Sequence, residues 1–246
     1  RIDGEKGAEK LLEDGFNAVF LAPGLWKAGV LNPEQKPVEG LYSSVEYLSS
    51  LRDGRLEETA AKFDGKTVAV IGGGAVAMDC VETAVRLGTK DVYLVYRRSY
   101  LQMPAEDGEV RSALEAGVHF LLLNQPLDYV VTNNQISGMK ITRTRLGAPD
   151  DSERRSPENI PGSDWTLEAD IIIEAIGNQA EADSSNWYPS VETDAKNLIK
   201  ANSETGATSA DGIFAGGDIV RGPALVVNAV RDGKVAAQAI QQYLNK

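Results

Sequence analysis

One stretch of the sequence, residues 65–88, constrains the fold most, because an apolar run, three consecutive glycines and a helical pattern follow one another. Thr67–Ile71 has the composition of a buried strand, and Gly72, Gly74 and Ala77 match the G-x-G-x-x-A fingerprint of a strand-to-helix turn. Such a turn lets a pyrophosphate approach the backbone and the N-terminus of the next helix. We therefore predict a dinucleotide-binding loop. Its candidate ligands are Gly72, Gly73, Gly74, Ala75 and Val76.

The residues beyond the glycines support this interpretation. Apolar residues from Val76 to Leu87 recur at helical spacing, and Gly88 stands where a helix C-cap is expected. The run Asp91–Tyr96 predicts the next strand, which completes a βαβ unit. The alternative is a glycine turn in an unrelated α/β protein.

The end of that second strand indicates which nucleotide is bound. An NAD-binding fold places a carboxylate about 20 residues beyond the glycines, where it accepts from the ribose 2′-hydroxyl. This chain has Arg97 and Arg98 there instead. Two guanidiniums can hold a 2′-phosphate, which a carboxylate would repel. The sequence thus predicts NADP(H) rather than NAD(H), the alternative being that one or both arginines are solvated surface charges.

Composition excludes several classes of protein. The 246 residues carry a formal charge of −11, which argues against a nucleic-acid or membrane surface. The single cysteine, Cys80, lies on the apolar face of the predicted helix, and one cysteine forms no intrachain disulfide or iron–sulfur ligand set. No apolar run is long enough for a membrane span, so we expect a cytoplasmic protein. We also expect no metal site in this chain.

Regions before the glycine loop predict simpler elements. Residues 6–14 suit a short helix, and residues 17–21 suit a strand. Residues 27–63 have mixed composition with prolines at 33 and 37, so we expect a connector that carries a helix over 43–52.

Beyond Arg98 the pattern changes from α/β to a β-hairpin. A helix ended by Gly117 precedes a strand at 118–123, and two further strands flank an Asn133–Asn134 turn. Residues 147–163 are rich in Pro, Gly, Ser and charge, which predicts a loop. Residues 169–177 predict a buried strand whose final Gly177 permits a ligand to pass closely.

The C-terminal region contains a second candidate site. A strand ends in Gly216-Gly217-Asp218, and after Gly222-Pro223 an amphipathic helix begins near Ala224. A carboxylate can accept from a sugar hydroxyl, and a helix N-terminus stabilises negative charge on a reduced ring. The alternative is that Asp218 only caps a turn. The candidate ligands in this region are Gly217, Asp218, Pro223, Ala224 and Leu225, and Gly177 at the end of the preceding strand is a further candidate.

These motifs together resemble the small subunit of glutamate synthase, the similar portions of dihydropyrimidine dehydrogenase, and related NADPH-dependent flavin oxidoreductases. The resemblance rests on GFNAVFLAPG, VIGGGAVAMDC, VYRRS with MPA, EAIG, and GIFAGGD with GPALVVNAVRDGKVAA, in that order. It implies a two-dinucleotide α/β flavoprotein, in which a Rossmann-like NADP-binding domain at 64–178 is inserted into an FAD-binding domain. Residues 1–63 and 179–246 would be the pieces of that FAD domain, with Asp218 on the ribityl chain.

The chain departs from the family pattern in two ways. It lacks the N-terminal G-x-G-x-x-G for the ADP half of FAD and the cysteines that precede it, and it begins with Arg1, so we expect a fragment. Ala75 stands where relatives commonly carry Asn. We therefore expect FAD in the intact protein, whereas the isolated chain should be mostly colourless, inactive and prone to self-association.

The resemblance implies hydride transfer from NADPH to FAD and onward to iron–sulfur clusters, with a larger catalytic subunit as partner. No side chain is predicted to be catalytic, and the single histidine, His119, is expected to pack or to lie on the surface. Two alternatives remain open at this point. One is a ferredoxin-linked or electron-bifurcating subunit, and the other is a non-catalytic NADP(H)-sensing module.

Overall fold

Strands and helices alternate along much of the chain. The computed structural model describes residues 7–150 and 153–245. The strands are β1 (Val19–Leu21), β2 (Lys27–Ala28), β3 (Leu41–Ser43), β4 (Thr67–Ile71), β5 (Asp91–Tyr96), β6 (His119–Leu122), β7 (Asn124–Thr132), β8 (Gln135–Pro149), β9 (Arg155–Asn159), β10 (Trp165–Glu168), β11 (Ile171–Glu174), β12 (Asn178–Gln179) and β13 (Ile213–Ala215). The helices are α1 (Glu9–Glu13), α2 (Ser44–Arg52), α3 (Leu56–Phe63), α4 (Ala75–Arg86), α5 (Asp107–Glu115), α6 (Asp218–Arg221) and α7 (Val226–Leu244), with 3₁₀ turns at Tyr100–Gln102 and Ser184–Trp187.

These elements form two compact units. One unit is the continuous segment Ala28–Gly177, here called the inserted unit. The other, the flanking unit, consists of the chain up to Lys27 and the chain from Asn178. The inserted unit thus begins earlier than the expected boundary at residue 64.

A five-stranded parallel sheet forms the centre of the inserted unit. Its order is β3-β11-β4-β5-β6. Alternate residues of the central strands face opposite sides, as the two-residue period of a strand requires. Val68, Val70 and Ile173 pack against α2 to α5, whereas Ala69 and Ile172 pack against the long hairpin of β7 and β8.

The predicted βαβ unit is confirmed. β4 and β5 have the predicted bounds, and α4 ends just before Gly88, whose φ of +82° suits the left-handed C-cap position. Cys80 is fully buried on α4, as expected. The hairpin is also confirmed, since Asn133 and Asn134 both have positive φ angles between β7 and β8.

Two expectations are wrong. The segment 27–63 contains the expected helix as α2, but it is not a connector, because it also contains α3 and the edge strand β3, which pairs with β11. The supposed loop 147–163 contains β9, which pairs with the distal half of β8 from Thr144↔Asn159 to Pro149↔Arg155. This distal hairpin is largely polar because it extends beyond the apolar core, and polar composition made it resemble a loop.

The flanking unit is built on two parallel strands, β1 and β13. Its core gathers apolar residues from both pieces of the chain, among them Ala8, Tyr188, Ile199, Ile213 and Ile219. The predicted helix at 6–14 is shorter, at Glu9–Glu13, and residue 6 lies outside the described part. In the part of the chain that the structure describes, no helix combines the length and the apolar character that crossing a bilayer requires.

A buried carboxylate fastens the sheet to the segment before β3. Glu174, which is 3 % exposed at the end of β11, accepts hydrogen bonds from the Tyr129 hydroxyl at 2.6 Å and from the backbone N–H of Leu31 at 2.5 Å. Burial is the main cause that raises the pKa of Tyr129, and the nearby Glu174 carboxylate adds to it, so the hydroxyl stays protonated and donates. This contact joins β7, β11 and the loop after β2.

We expect Tyr129→Phe to lower the free energy of unfolding by about 1 to 3 kcal/mol, because a buried carboxylate loses a donor. Urea unfolding followed by circular dichroism measures the change. Tyr243→Phe is a matched control, since that hydroxyl donates to the exposed Asp211 and its loss should cost less. Equal losses in the two variants would contradict the role of Glu174.

Candidate nucleotide-binding sites

Gly72 is required by the crossing of the chain between β4 and α4. Its φ is +147°, and a Cβ there would lie 2.4 Å from the carbonyl oxygen of Ala175. Its N–H donates to the carbonyl of Val95 at 3.1 Å. The turn therefore lies tightly between the ends of β11 and β5, where only glycine fits.

Gly73 is held by the side chain of Tyr96. A Cβ on Gly73 would lie 2.6 Å from two ring carbons of Tyr96, which is itself buried. The Tyr96 hydroxyl donates to the carbonyl of Gln102 at 2.5 Å, and the N–H of Ala105 donates to the carbonyl of Gly73 at 3.1 Å. The glycine loop and the segment after β5 are thus fixed to each other.

Gly74 opens the loop to a ligand. It is the N-cap of α4 in an extended conformation, and no described side chain caps that helix. A Cβ on Gly74 would meet only Pro104, at 3.9 Å. The first turn of α4, which starts with Ala75 and Val76, carries no acidic residue, so its amides and its dipole favour an anion. The structure brings all five predicted loop residues, 72–76, into one turn.

The two arginines after β5 have different environments. Arg97 is exposed, whereas Arg98 is 5 % exposed. Arg98 donates from Nε to the carbonyl of Arg155 at 2.8 Å and from Nη2 to the Asp150 carboxylate at 2.6 Å. This differs from the expectation that both guanidiniums face a nucleotide: Arg98 is occupied by the distal hairpin, and Arg97 remains the candidate ligand. The partner Asp150 lies 52 residues away in sequence, so local pattern gave no signal.

Gly177 closes the inserted unit with a φ of +103°. A Cβ on it would have no neighbour within 4 Å among the described residues, and its carbonyl accepts from the N–H of Gly29 at 2.7 Å. The backbone here is accessible to a ligand, as predicted for the end of the EAIG strand.

The flanking unit assembles the second predicted group. Gly217 has a φ of +76°, and Asp218 opens the short helix α6. Burial raises the pKa of Asp218, and the nearby backbone N–H of Ala224 acts in the opposite direction. Asp218 and the Pro223–Leu225 segment are thus neighbours, as the sequence predicted. The partly buried carboxylate faces the start of α7.

An ion pair that sequence analysis missed holds this turn. Asp232, 9 % exposed on α7, accepts from the Gly217 N–H at 3.0 Å and from Arg221 Nε at 2.6 Å, with a second contact to the Arg221 guanidinium. The Arg221 hydrogen bond is the main cause that lowers the pKa of Asp232. A Cβ on Gly216 would lie 2.8 Å from that of Asp232. A carboxylate on the buried face of an amphipathic helix was the available signal.

The first turns of α7 present apolar side chains to solvent. Val226 is 80 % exposed and Val227 66 % exposed, and the neighbouring Leu225 and Val230 are about half exposed. This apolar surface adjoins the Asp218 turn, so the region offers a carboxylate, a helix N-terminus and an apolar wall to one ligand.

Other parts of the chain offer weaker sites. A cavity of about 470 Å³ lies among residues of the 30–42 loop together with Glu46 and Glu174, and no predicted site residue lines it. Within residues 7–150 and 153–245, no group of three or more His, Cys, Asp and Glu side chains is arranged to hold a metal ion.

We expect Gly73→Ala to lower stability by about 1 to 3 kcal/mol, because the new methyl group overlaps the Tyr96 ring. Gly74→Ala is the matched control for stability: its Cβ has space and its backbone conformation suits alanine. The same control should weaken binding of a dinucleotide, since the methyl group stands where phosphates approach. Thermal unfolding and nucleotide titration separate the two effects, and a Gly73→Ala variant as stable as wild type would contradict the packing.

We expect Arg221→Met to destabilise the flanking unit in a pH-dependent way. The pKa of Asp232 is lowered in the folded state, so the pair stabilises the fold above about pH 4, the unfolded-state value. That contribution disappears as the pH falls through the lower folded-state pKa. Urea unfolding between pH 7 and pH 3 should show wild type and variant converging at acidic pH. A difference that stays constant with pH would contradict this, and Arg145→Met, which breaks an exposed pair with Glu158, should change little.

Curated relatives resemble nearly the whole chain. It is 41 % identical over 235 residues to the NADP(+)-dependent formate dehydrogenase subunit beta of Moorella thermoacetica, covering 96 % of this chain and 33 % of that one. It is 40 % identical to the glutamate synthase [NADPH] small chain of Halomonas elongata, covering 96 % of this chain and 52 % of that one. The chain therefore spans a third to a half of these relatives.

A solved structure and a family model agree with the fold. FprA of Mycobacterium tuberculosis, solved in complex with NADPH, aligns with a TM-score of 0.76 at 17 % identity, over 96 % of this chain and 65 % of that one. This likeness confirms the predicted α/β fold class. The model of the family described as pyridine nucleotide-disulphide oxidoreductase matches residues 2–233. A match over that span shows that this chain belongs to the pyridine nucleotide-disulphide oxidoreductase family.

Proposed function

We propose that this chain is the NADPH-binding and flavin-reducing part of an oxidoreductase that passes electrons to a larger catalytic subunit or an iron–sulfur acceptor. The observation that carries the proposal is the open glycine turn at 72–74, followed by an uncapped helix and by the exposed Arg97. The names of the two relatives, an NADP(+)-dependent dehydrogenase subunit and an NADPH-dependent synthase small chain, support the same nucleotide.

In the inserted unit, the dinucleotide phosphates would lie over residues 72–76. The amides of the first turn of α4 donate to them, and the helix dipole favours their charge. Ala75 offers no side-chain donor, so the backbone carries this contact. Arg97 would hold the 2′-phosphate by charge-assisted hydrogen bonds, and the open backbone at Gly177 would lie near the other end of the nucleotide.

In the flanking unit, the residues present fit a flavin. The Asp218 carboxylate can accept from a ribityl hydroxyl, and Gly217 permits the turn that presents it. Pro223, Ala224 and Leu225 lead into α7, whose N-terminus favours negative charge on the ring edge. The exposed side chains of Val226 and Val227 can exclude water from an apolar ring.

FAD bound by these residues would supply the chemistry of hydride acceptance and electron transfer. The chain's own residues orient the two nucleotides and exclude water, and no side-chain acid or base is required for hydride transfer. The turn at Gly217–Asp218, fixed by Asp232 and Arg221, keeps the ribityl ligand in place. Precise orientation of this kind is the main contribution a protein makes to such a step.

The sequence contains one dinucleotide fingerprint, at 72–77, and two nucleotides are proposed. We infer that the diphosphate of FAD is held by residues outside this sequence. The 246-residue chain by itself would then bind NADPH and hold little flavin, because much of the flavin's binding free energy comes from that anchor. The names of the two relatives, one a formate dehydrogenase subunit and one a glutamate synthase subunit, favour a common NADP(H)-binding part that works with exchangeable partners. We propose that the protein is located in the cytoplasm.

Calorimetric titration with NADPH and NADH tests the proposal. We expect NADPH to bind more tightly, and Arg97→Ala to weaken NADPH about 10-fold or more while NADH changes little, because one charge-assisted contact contributes about 1.5 to 3 kcal/mol. Arg86→Ala, which removes an exposed cation from the far end of α4, is the control.

Tighter binding of NADH, or no binding of either nucleotide, would contradict the proposal. Binding of NADPH by a full-length protein that holds no flavin would instead favour the NADP(H)-sensing alternative.

A further inference from the structure

We propose that the cavity beside β3, lined by the 30–42 loop, Glu46 and Glu174, binds an aliphatic diamine. One ammonium group of the ligand lies on the buried carboxylate of Glu174, and the other lies on the exposed carboxylates of Glu39 and Glu46. The cavity has a volume of about 470 Å³, which is sufficient for a small organic ligand, and it lies wholly within the inserted unit. No residue assigned to the nucleotide sites lines it, so the inference does not depend on NADPH binding.

The two carboxylate oxygens of Glu174 have different surroundings. The residue is 3 % exposed, and its Oε1 accepts hydrogen bonds from both the Leu31 N–H and the Tyr129 hydroxyl. Its Oε2 has no hydrogen-bond partner among the described residues, and it is not one of the partnerless oxygen atoms there that protein atoms enclose completely. Because Glu174 lines the cavity, Oε2 is the oxygen that opens into it.

The buried carboxylate lacks a cationic partner. Both groups that donate to Glu174 are uncharged, and no Lys, Arg or His side chain of the described residues forms an ion pair with it. Removing a carboxylate from water costs free energy that neutral donors offset only in part. A cation that enters the cavity would therefore gain a charge-assisted hydrogen bond to Oε2.

The other charged residues that line the cavity leave it acidic. Glu39, Glu46 and Glu174 contribute three negative charges, and Lys36 contributes one positive charge, which gives −2 (−3 + 1). Glu34 lies in the same loop without lining the cavity, and it adds a further negative charge to the surroundings. A ligand with two positive charges complements the net charge of the lining.

The nearest charges on α3 and on the turn before it do not reverse this sign. Lys62 lies 2.7 Å from Glu58, and Arg55 lies 3.8 Å from Asp53. Each of these pairs is neutral overall, so neither supplies a spare cation to the cavity.

The spread of the carboxylates favours a diamine over a metal ion. In residues 7–150 and 153–245, no three His, Cys, Asp or Glu side chains converge closely enough for a metal. Two ammonium groups joined by methylenes can instead contact separate carboxylates. Apolar side chains on the same wall suit the methylene chain, and they belong to Val30, Pro33, Pro37, Val38 and Leu41.

Backbone hydrogen bonds hold the wall of the cavity in place without a ligand. The N–H of Glu39 donates to the carbonyl of Asn134 at 3.2 Å, and the N–H of Ile136 donates to the carbonyl of Glu39 at 2.8 Å. Within the loop, the N–H of Leu41 donates to the carbonyl of Val38 at 3.3 Å. Because the loop is already ordered, binding requires little further loss of conformational entropy.

Calorimetric titration of the full-length protein at neutral pH and low salt tests the proposal with three ligands of similar length. They are 1,4-diaminobutane, 1-aminobutane and 1,4-butanediol. We expect the diamine to bind about threefold to fivefold more tightly than the monoamine, because its second contact is to exposed carboxylates. The uncharged diol should show no binding.

Glu174→Gln should weaken both amines about 10-fold, because it removes the charge from the buried hydrogen-bond acceptor. Glu46→Gln should weaken the diamine about threefold and leave the monoamine unchanged, since the exposed carboxylate contacts only the second ammonium group. Glu34→Gln is the matched control: it removes a carboxylate from the same loop but not from the lining, and both affinities should stay within about twofold of wild type.

The inference is overturned if the wild-type protein does not bind the diamine, if the diol binds as tightly, or if Glu174→Gln retains the wild-type affinity. Circular dichroism shows whether Glu174→Gln is folded. If it is not, Glu46→Gln decides, and an unchanged ratio of diamine to monoamine affinity in that variant overturns the inference.

Discussion

The packing of two glycines at the carboxyl end of β4 is the constraint on which the rest depends. Gly72 lies against the carbonyl of Ala175, and Gly73 lies against the ring of Tyr96. The turn therefore touches the ends of both neighbouring strands, and α4 leaves it with an uncapped N-terminus. Because parallel strands end at the same edge of a sheet, this contact brings the residues after β4, β5 and β11 together at one edge.

The distal hairpin comes from a different part of the chain and contacts the segment after β5. Its polar strands contribute little to the apolar core, and the contacts that place it go to Arg97 and Arg98. A buried ion pair of this kind contributes more to specificity of position than to net stability, because desolvation offsets much of its Coulomb attraction. The sequence pattern marks both Arg97 and Arg98 as candidate ligands, and the fold uses Arg98 for an internal contact.

The flanking unit has a similar arrangement, in which the buried charged residue is acidic rather than basic. Asp218 begins α6, and Asp232 on α7 holds the turn through Gly217 and Arg221. In both units a charged residue near the site is buried and positions a neighbour, and a second one remains accessible.

Elements with local signals could be predicted from the sequence: β4, the glycine turn, α4, β5 and the Asn133–Asn134 hairpin. Apolar period, glycine conformation and turn chemistry all act within a few residues, so they can be recognised without the fold. Tertiary structure decided the rest. β3 is a strand because it pairs with β11, and the polar β9 is a strand because it pairs with the extended β8. The structural roles of Arg98 and Asp232 depend on partners that are distant along the chain. Contacts between such distant residues produce no repeating pattern in the sequence, because they form only when folding brings the two segments together.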